Sequence, residues 1–144
     1  MWIIFSIVAS VFWGLDYTLT EKVLEKIRFP TLLTIELFFG FIAMLGITLA
    51  SKSYKMDLPV LFASKQTITY IVLIVLVFNI ANTFIVLAIG SSNATVAGLI
   101  EISYPLFVAF FSWLFFREVN LNVGTALGGA FILFGVSLIY FLNK

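Results

Sequence analysis

The stretch that decides the fold is ATVAGLIEISYPLFVAFFSWLFF, residues 94–116. It carries one charged residue, Glu101, within an apolar run that is long enough to cross a bilayer as a helix, which takes about 20 residues. Pro105 follows four positions later, and its ring nitrogen has no N–H to bond the carbonyl of residue 101. The stretch therefore predicts a membrane helix that is interrupted beside a carboxyl group.

The rest of the chain is equally apolar. Of its 144 residues 62% are hydrophobic and 10% are charged, and the mean hydropathy is +1.18. No soluble domain of this length could bury so much apolar surface, so lipid must cover it. Five runs fit membrane helices, at about residues 2–20, 30–50, 67–89, 94–116 and 121–142. We predict an all-α transmembrane protein, a five-helix bundle in a single domain over residues 1–144, with the short apolar run at residues 58–63 in the membrane interface.

The composition also excludes several functions. The chain has no Cys and no His, which removes thiol nucleophiles and the usual metal ligands and proton shuttles. A net charge of +1 argues against a nucleic-acid partner. We therefore expect no enzyme, no metal site and no cofactor.

Three acidic residues, Asp16, Glu36 and Glu101, lie inside the predicted spans, which contain no Lys or Arg. We call the membrane surface where the first span begins side A and the opposite surface side B. At about 1.5 Å of rise per residue, each acid lies about 9 to 10 Å from side B, and Asn79 and Asn82 lie about 8 to 12 Å from it. Charges in hydrocarbon are costly and usually mark a pathway or a coupling site. The sequence thus predicts one polar layer, suited to protons or a cation.

Glu101 has two interpretations. A carboxyl group among apolar atoms binds a proton more readily than one in water, so Glu101 could exchange a proton for a substrate. The carbonyl freed by Pro105 supports this, because interrupted helices often build membrane sites. In the second interpretation Glu101 is a neutral acid that bonds to Asn79, Asn82 or Tyr104 and only packs the bundle.

The other members of the layer have ordinary alternatives too. Asp16 can pair with Lys22 at the surface, and Glu36 can reach the interface. Aromatic faces attract cations, although Trp and Tyr also form belts at membrane surfaces. The candidate substrate or proton site comprises Glu101, Asp16, Glu36, Asn79, Asn82, Trp13, Tyr17, Tyr104 and Pro105.

The last predicted helix carries glycines at helical spacing. Gly124 and Gly128 form a small-xxx-small pair, and Gly135 follows two turns later. Small residues let membrane helices approach closely, so we predict that these glycines pack against another helix.

Residues 99–140, LIEISYPLFVAFFSWLFFREVNLNVGTALGGAFILFGVSLIY, resemble the end of an EamA-type domain of the drug/metabolite transporter superfamily. The matching features are Pro105 within a helix, Glu118 at its exit, Gly128, and Gly135–Val136 in the last span. FWG at residues 12–14 resembles the first helix of that domain, and GSSNATVAGLI at residues 90–100 resembles its third-to-fourth turn. Typical members carry two such domains in ten helices, as an inverted repeat around a central cavity. Such proteins export or exchange small metabolites, so the resemblance implies one half of a transporter. Together with the acidic layer and its aromatic neighbours, it leads us to expect a proton-coupled exporter or exchanger of a small amphipathic or cationic metabolite or drug.

A single domain implies a partner. An odd number of spans places the termini on opposite sides, so two copies must be antiparallel to mimic an inverted repeat. The basic residues that normally fix orientation are balanced, four against four: Lys52, Lys55, Lys65 and Arg117 on side A, and Lys22, Lys26, Arg28 and Lys144 on side B. We expect dual topology and an antiparallel homodimer in the inner or plasma membrane. The alternatives are a heterodimer with a similar chain, or a non-transporting structural or regulatory subunit.

Overall fold

The computed structural model describes residues 1–118 and 122–142, and within these ranges it contains helices and connections without a strand. The helices are α1 (Trp2–Leu24), α2 (Phe29–Ser51), α3 (Tyr54–Ala63), α4 (Lys65–Ser91), α5 (Ala94–Glu101), α6 (Tyr104–Phe111) and α7 (Val123–Leu142), with a π-helical turn at Ser112–Phe116. Five stretches are long and apolar enough to cross a membrane: α1, α2, α4, the combined stretch Ala94–Phe116, and α7. The predicted all-α transmembrane fold class is confirmed.

Several helices extend past the apolar runs that predicted them. α1 continues to Leu24, and its last turn is closed by an ion pair in which the Lys22 ammonium lies 2.7 Å from the Glu25 carboxylate. Charged residues are compatible with a helix once it leaves the hydrocarbon, so a prediction from hydropathy alone places the end of the helix too early. The predicted start of the fifth span at residue 121 and the charge of Lys144 lie outside the described residues.

Polar side chains begin two of the spans. The Ser64 hydroxyl accepts a hydrogen bond from the N–H of Thr67 at 3.2 Å at the start of α4. The Asn93 side-chain oxygen accepts from the N–H of Val96 at 2.8 Å at the start of α5. Such caps satisfy N–H groups that have no partner within the helix. The cap at Asn93 reverses the chain within two residues and makes α4 and α5 packed neighbours.

The buried residues lie at one end of the bundle. α4 packs against α1, α2, α3 and α5, and α7 packs against α5. The buried side chains come from the end of α1, the start of α2, the end of α4 and the start of α5: Thr20, Leu32, Leu33, Val86, Ile89, Ala94 and Ala97. This is the side B end of the predicted spans. Many large apolar side chains elsewhere are exposed on the single chain, which suits contact with lipid or another protein.

The apolar run at residues 58–63 forms the second half of α3, which packs against α4. Pro59 lies inside α3, and this helix of 10 residues is too short to span a bilayer. Its place in the membrane interface stays a prediction.

Candidate substrate and proton site

The fourth membrane span is interrupted directly after Glu101. α5 ends at Glu101 and α6 begins at Tyr104, so Ile102 and Ser103 form a turn inside the span. The N–H of Ser103 donates to the carbonyl three residues back, at 3.2 Å, instead of four back as in an α-helix. Pro105 lies in the first turn of α6, where a missing N–H is tolerated. The predicted interruption is confirmed.

The Glu101 carboxylate contacts α1 at this break. The Tyr17 hydroxyl donates a hydrogen bond to Glu101 Oε2 at 2.5 Å, and both residues are half-buried. The Tyr17 ring passes over Gly98, because a Cβ placed on Gly98 would lie 3.4 Å from Tyr17 Cδ2. Gly98 and Glu101 are three residues apart and share one face of α5. One side chain of α1 therefore contacts α5 with its ring at Gly98 and with its hydroxyl at Glu101.

The hydrogen-bond partner of Glu101 differs from those that the sequence suggested. A neutral Glu101 was expected to bond to Asn79, Asn82 or Tyr104, and the structure gives Tyr17. The Asn79 amide instead donates to the carbonyl of Val75 on its own helix, at 2.8 Å, and Asn79 is exposed. Asn82 is half-buried on the same helix. These polar groups were all predicted to lie at a similar depth in the membrane, so depth alone does not identify the partner of Glu101. The packing of α1 against α5 determines that the partner is Tyr17.

Asp16 and Glu36, the other two acids of the predicted layer, lie on α1 and α2, which pack against each other. Asp16 is exposed and Glu36 is half-buried. The alternative pairing of Asp16 with Lys22 is wrong in this structure, since Lys22 binds Glu25.

The aromatic candidates lie on the open side of this region. The rings of Trp13 and Tyr17 are 5.6 Å apart between centroids, and Trp13 is 51% exposed. Tyr104 is 60% exposed and is the first residue of α6. The surface beside Trp13 and Asp16 is open, and its lining residues all belong to α1. One chain thus offers an open aromatic and acidic surface, and its binding of a cation stays a prediction.

The glycines of α7 do not contribute equally to packing. In the part of the chain that the structure describes, a Cβ on Gly128 or Gly135 would meet nothing within 4 Å, and one on Gly124 would approach the side chain of Asn122 at 3.3 Å. A Cβ on Gly129 would lie only 2.8 Å from Leu106 Cδ2 on α6. Within the chain, the close approach is therefore at Gly129, and the faces of Gly128 and Gly135 are left open. Their contact with another helix remains a prediction.

Sequence reasoning missed one residue that the structure connects to the site. Glu21 lies directly after the apolar run at residues 2–20 and is not among the predicted site residues. In the structure its Oε2 accepts a hydrogen bond from the N–H of Ala94 at 2.6 Å. The signal that could have found it is its spacing, because Glu21 is one helical turn after Tyr17 on the same face of α1.

The described residues contain no group of three or more His, Cys, Asp or Glu side chains that could hold a metal ion. The direct contact between polar side chains of the site is instead the hydrogen bond from Tyr17 to Glu101, at the break of the fourth span.

Five apolar spans with such a polar region define a multi-pass membrane protein. The EamA-like transporter family matches residues 1–141, and the chain belongs to this family. Membership indicates a membrane transporter. Comparisons with curated proteins and with solved structures gave no match.

Proposed function

We propose that this protein is a proton-coupled exporter or exchanger of a small amphipathic or cationic metabolite or drug, and that it works as an antiparallel homodimer in the inner or plasma membrane. The family supplies the class of function. The hydrogen bond from Tyr17 to Glu101, beside the break in the fourth span, is the observation that carries the proposed coupling.

The chemistry of that contact suits exchange. The partner of the Glu101 carboxylate is a phenol hydroxyl, which is neutral, so this contact orients the carboxylate without cancelling its charge. A proton or a cationic substrate can each neutralise it, and they compete for the same group. Occupation by one releases the other, which is the simplest form of proton-coupled exchange.

The open surface around the site supports a second copy. Asp16, Trp13 and Tyr104 are exposed on the single chain, and a Cβ on Gly40 or Gly128 would meet nothing within 4 Å. Small residues on open membrane faces allow close approach of another helix. A second, inverted copy would cover these groups and enclose a cavity between two acidic layers.

The test uses purified protein in vesicles, with flux of tetraphenylphosphonium driven by a pH gradient. Glu101→Gln keeps the size and most hydrogen bonding of the side chain and removes its charge. We expect it to abolish proton-driven flux while the protein stays folded and dimeric, and Glu118→Gln, an exposed acid beyond the same span, to keep wild-type flux. Wild-type flux in Glu101→Gln would refute the coupling role.

The same experiment separates the alternatives. A wild-type chain that moves no member of a broad panel of cations and neutral amphiphiles would indicate a structural or regulatory subunit. Flux that appears only when a second, similar chain is supplied would indicate a heterodimer.

A further inference from the structure

α5 is bound to α1 at both of its ends. At its last residue, Glu101 accepts a hydrogen bond from Tyr17; at its first residue, the N–H of Ala94 donates to Glu21 at 2.6 Å. Tyr17 and Glu21 are one turn apart on α1, and Thr20 beside them is 4% exposed. The short helix that ends in the proposed coupling residue therefore lies along a single face of α1.

The contact at Glu21 completes the start of α5. The first N–H groups of a helix have no partner within it, and leaving them unpaired inside a membrane protein is costly. The side chain of Asn93 binds the N–H of Val96, and Glu21 reaches from another helix to bind the N–H of Ala94. A carboxylate is favoured there because the N-terminal end of a helix carries partial positive charge.

We infer that Glu21 is a positioning residue for Glu101: by holding the start of α5 against α1, it keeps the Glu101 carboxylate within reach of the Tyr17 hydroxyl. The break after Glu101 separates α5 from α6, so the contacts of α5 with its neighbours set where this carboxylate lies. The consequence for transport rests on the proposed function, whereas the placement of Glu101 can be measured without transport.

The probe is dicyclohexylcarbodiimide, which modifies protonated carboxyl groups in apolar surroundings. The full chain in vesicles is treated at one fixed pH, and mass spectrometry follows the label on the peptide that contains Glu101. Glu21→Met keeps the length of the side chain and removes both oxygens. Once the start of α5 is released from α1, Glu101 should lose its hydrogen bond from Tyr17, which favours the charged carboxylate over the protonated form that the reagent modifies. Loss of a hydrogen bond to a charged group changes an equilibrium by about tenfold, so we expect labelling of Glu101 to be faster by that order.

Conservative and control variants isolate the cap. Glu21→Gln keeps an oxygen that can accept from Ala94 but loses the charge that strengthens this bond at a helix N-terminus, so its labelling rate should fall between those of wild type and Glu21→Met. Glu25→Met changes an exposed acid one turn further on, whose partner is Lys22, and should leave the rate unchanged. A wild-type labelling rate of Glu101 in Glu21→Met would overturn the inference.

A double-mutant cycle tests the route. Tyr17→Phe removes the donor to Glu101 directly and should speed the labelling as Glu21→Met does. If Glu21 acts through the Tyr17 contact, the double variant gains no more than the larger single change, whereas multiplied effects contradict the inference. Should Glu21→Met fail to fold, Glu21→Asp, whose carboxylate is too short to reach Ala94 in the same geometry, takes its place, and a wild-type rate there counts against the cap.

The outcome separates this inference from the proposed function. Loss of flux in Glu101→Gln together with unchanged labelling of Glu101 in Glu21→Met would keep the transport function and refute the positioning role. Faster labelling of Glu101 in Glu21→Met, in a protein that transports no substrate, would keep the positioning role and refute the transport function.

Discussion

Gly98 gives Tyr17 the space to reach Glu101. A Cβ at this position would lie 3.4 and 3.7 Å from two ring carbons of Tyr17, which is ordinary van der Waals contact. One methyl group therefore fits, and a branched side chain has no room unless the ring moves. Because the Tyr17 hydroxyl is fixed to its ring, moving the ring also withdraws the donor from the carboxylate.

We expect Gly98→Ala to keep the fold and the flux, and Gly98→Leu to lower the free energy of unfolding by about 1–3 kcal/mol through overpacking. Gly98→Leu should also slow proton-driven flux, since it displaces the partner of Glu101. Thermal unfolding in detergent and flux in vesicles measure the two effects. Equal stability and flux in the two variants would show that the Tyr17 ring is not confined at Gly98.

At the scale of elements, two consecutive glycines of α7 have different surroundings. Successive helix positions point about 100° apart, because a turn takes about 3.6 residues. A Cβ on Gly129 would therefore meet Leu106 of α6, while one on Gly128 would meet no other atom within 4 Å among the described residues. The first contact belongs to the fold of the monomer, and the second position is free to meet a partner.

Gly129→Leu should destabilise the monomer by about 1–3 kcal/mol, because Leu106 already occupies the space that the new side chain needs. Gly128→Leu should leave the unfolding free energy of the monomer unchanged and weaken dimer formation. Chemical unfolding and the mass of the detergent-solubilised protein separate the two. A dimer of unchanged strength in Gly128→Leu would show that this face meets lipid.

The same pair of glycines shows what sequence can and cannot predict. Counting 1.5 Å per residue from the ends of apolar runs gives the depth of Asp16, Glu36 and Glu101, and the break at Pro105 follows from proline chemistry. The rotation of a helix about its axis is not fixed when all its faces are apolar, as in α7. Thus the choice of Gly129 over Gly128, and of Tyr17 over the asparagines, depends on packing that periodicity does not encode.

Glu21 was missed for a related reason. A charged residue after an apolar run indicates that the helix leaves the hydrocarbon, and hydropathy carries no further information about it. The start of α5 lies beside it only because α1 and α5 are antiparallel neighbours, a contact between residues that are distant in the sequence.

At the scale of the whole molecule, the basic residues that flank the predicted spans are equal in number on the two sides of the membrane, so they favour neither orientation. We expect a reporter that is active only in the cytoplasm and one that is active only outside it to give signal when each is fused to the C-terminus. Two Lys added to the connection between α2 and α3 should bias the population towards one orientation, whereas two Ser at the same positions should not. Signal from a single reporter would contradict the simple homodimer.

The buried side chains described above, from Thr20 to Ala97, are confined to one end of the bundle. In a pair of inverted, identical copies, each face of the membrane would then present one densely packed end and one sparsely packed end. If the two copies exchanged their conformations, an assembly open to one face of the membrane would become open to the other face. The two states would have the same free energy, because they contain the same two conformations. Such a protein has no preferred direction of its own, and net movement would follow only the gradients of proton and substrate.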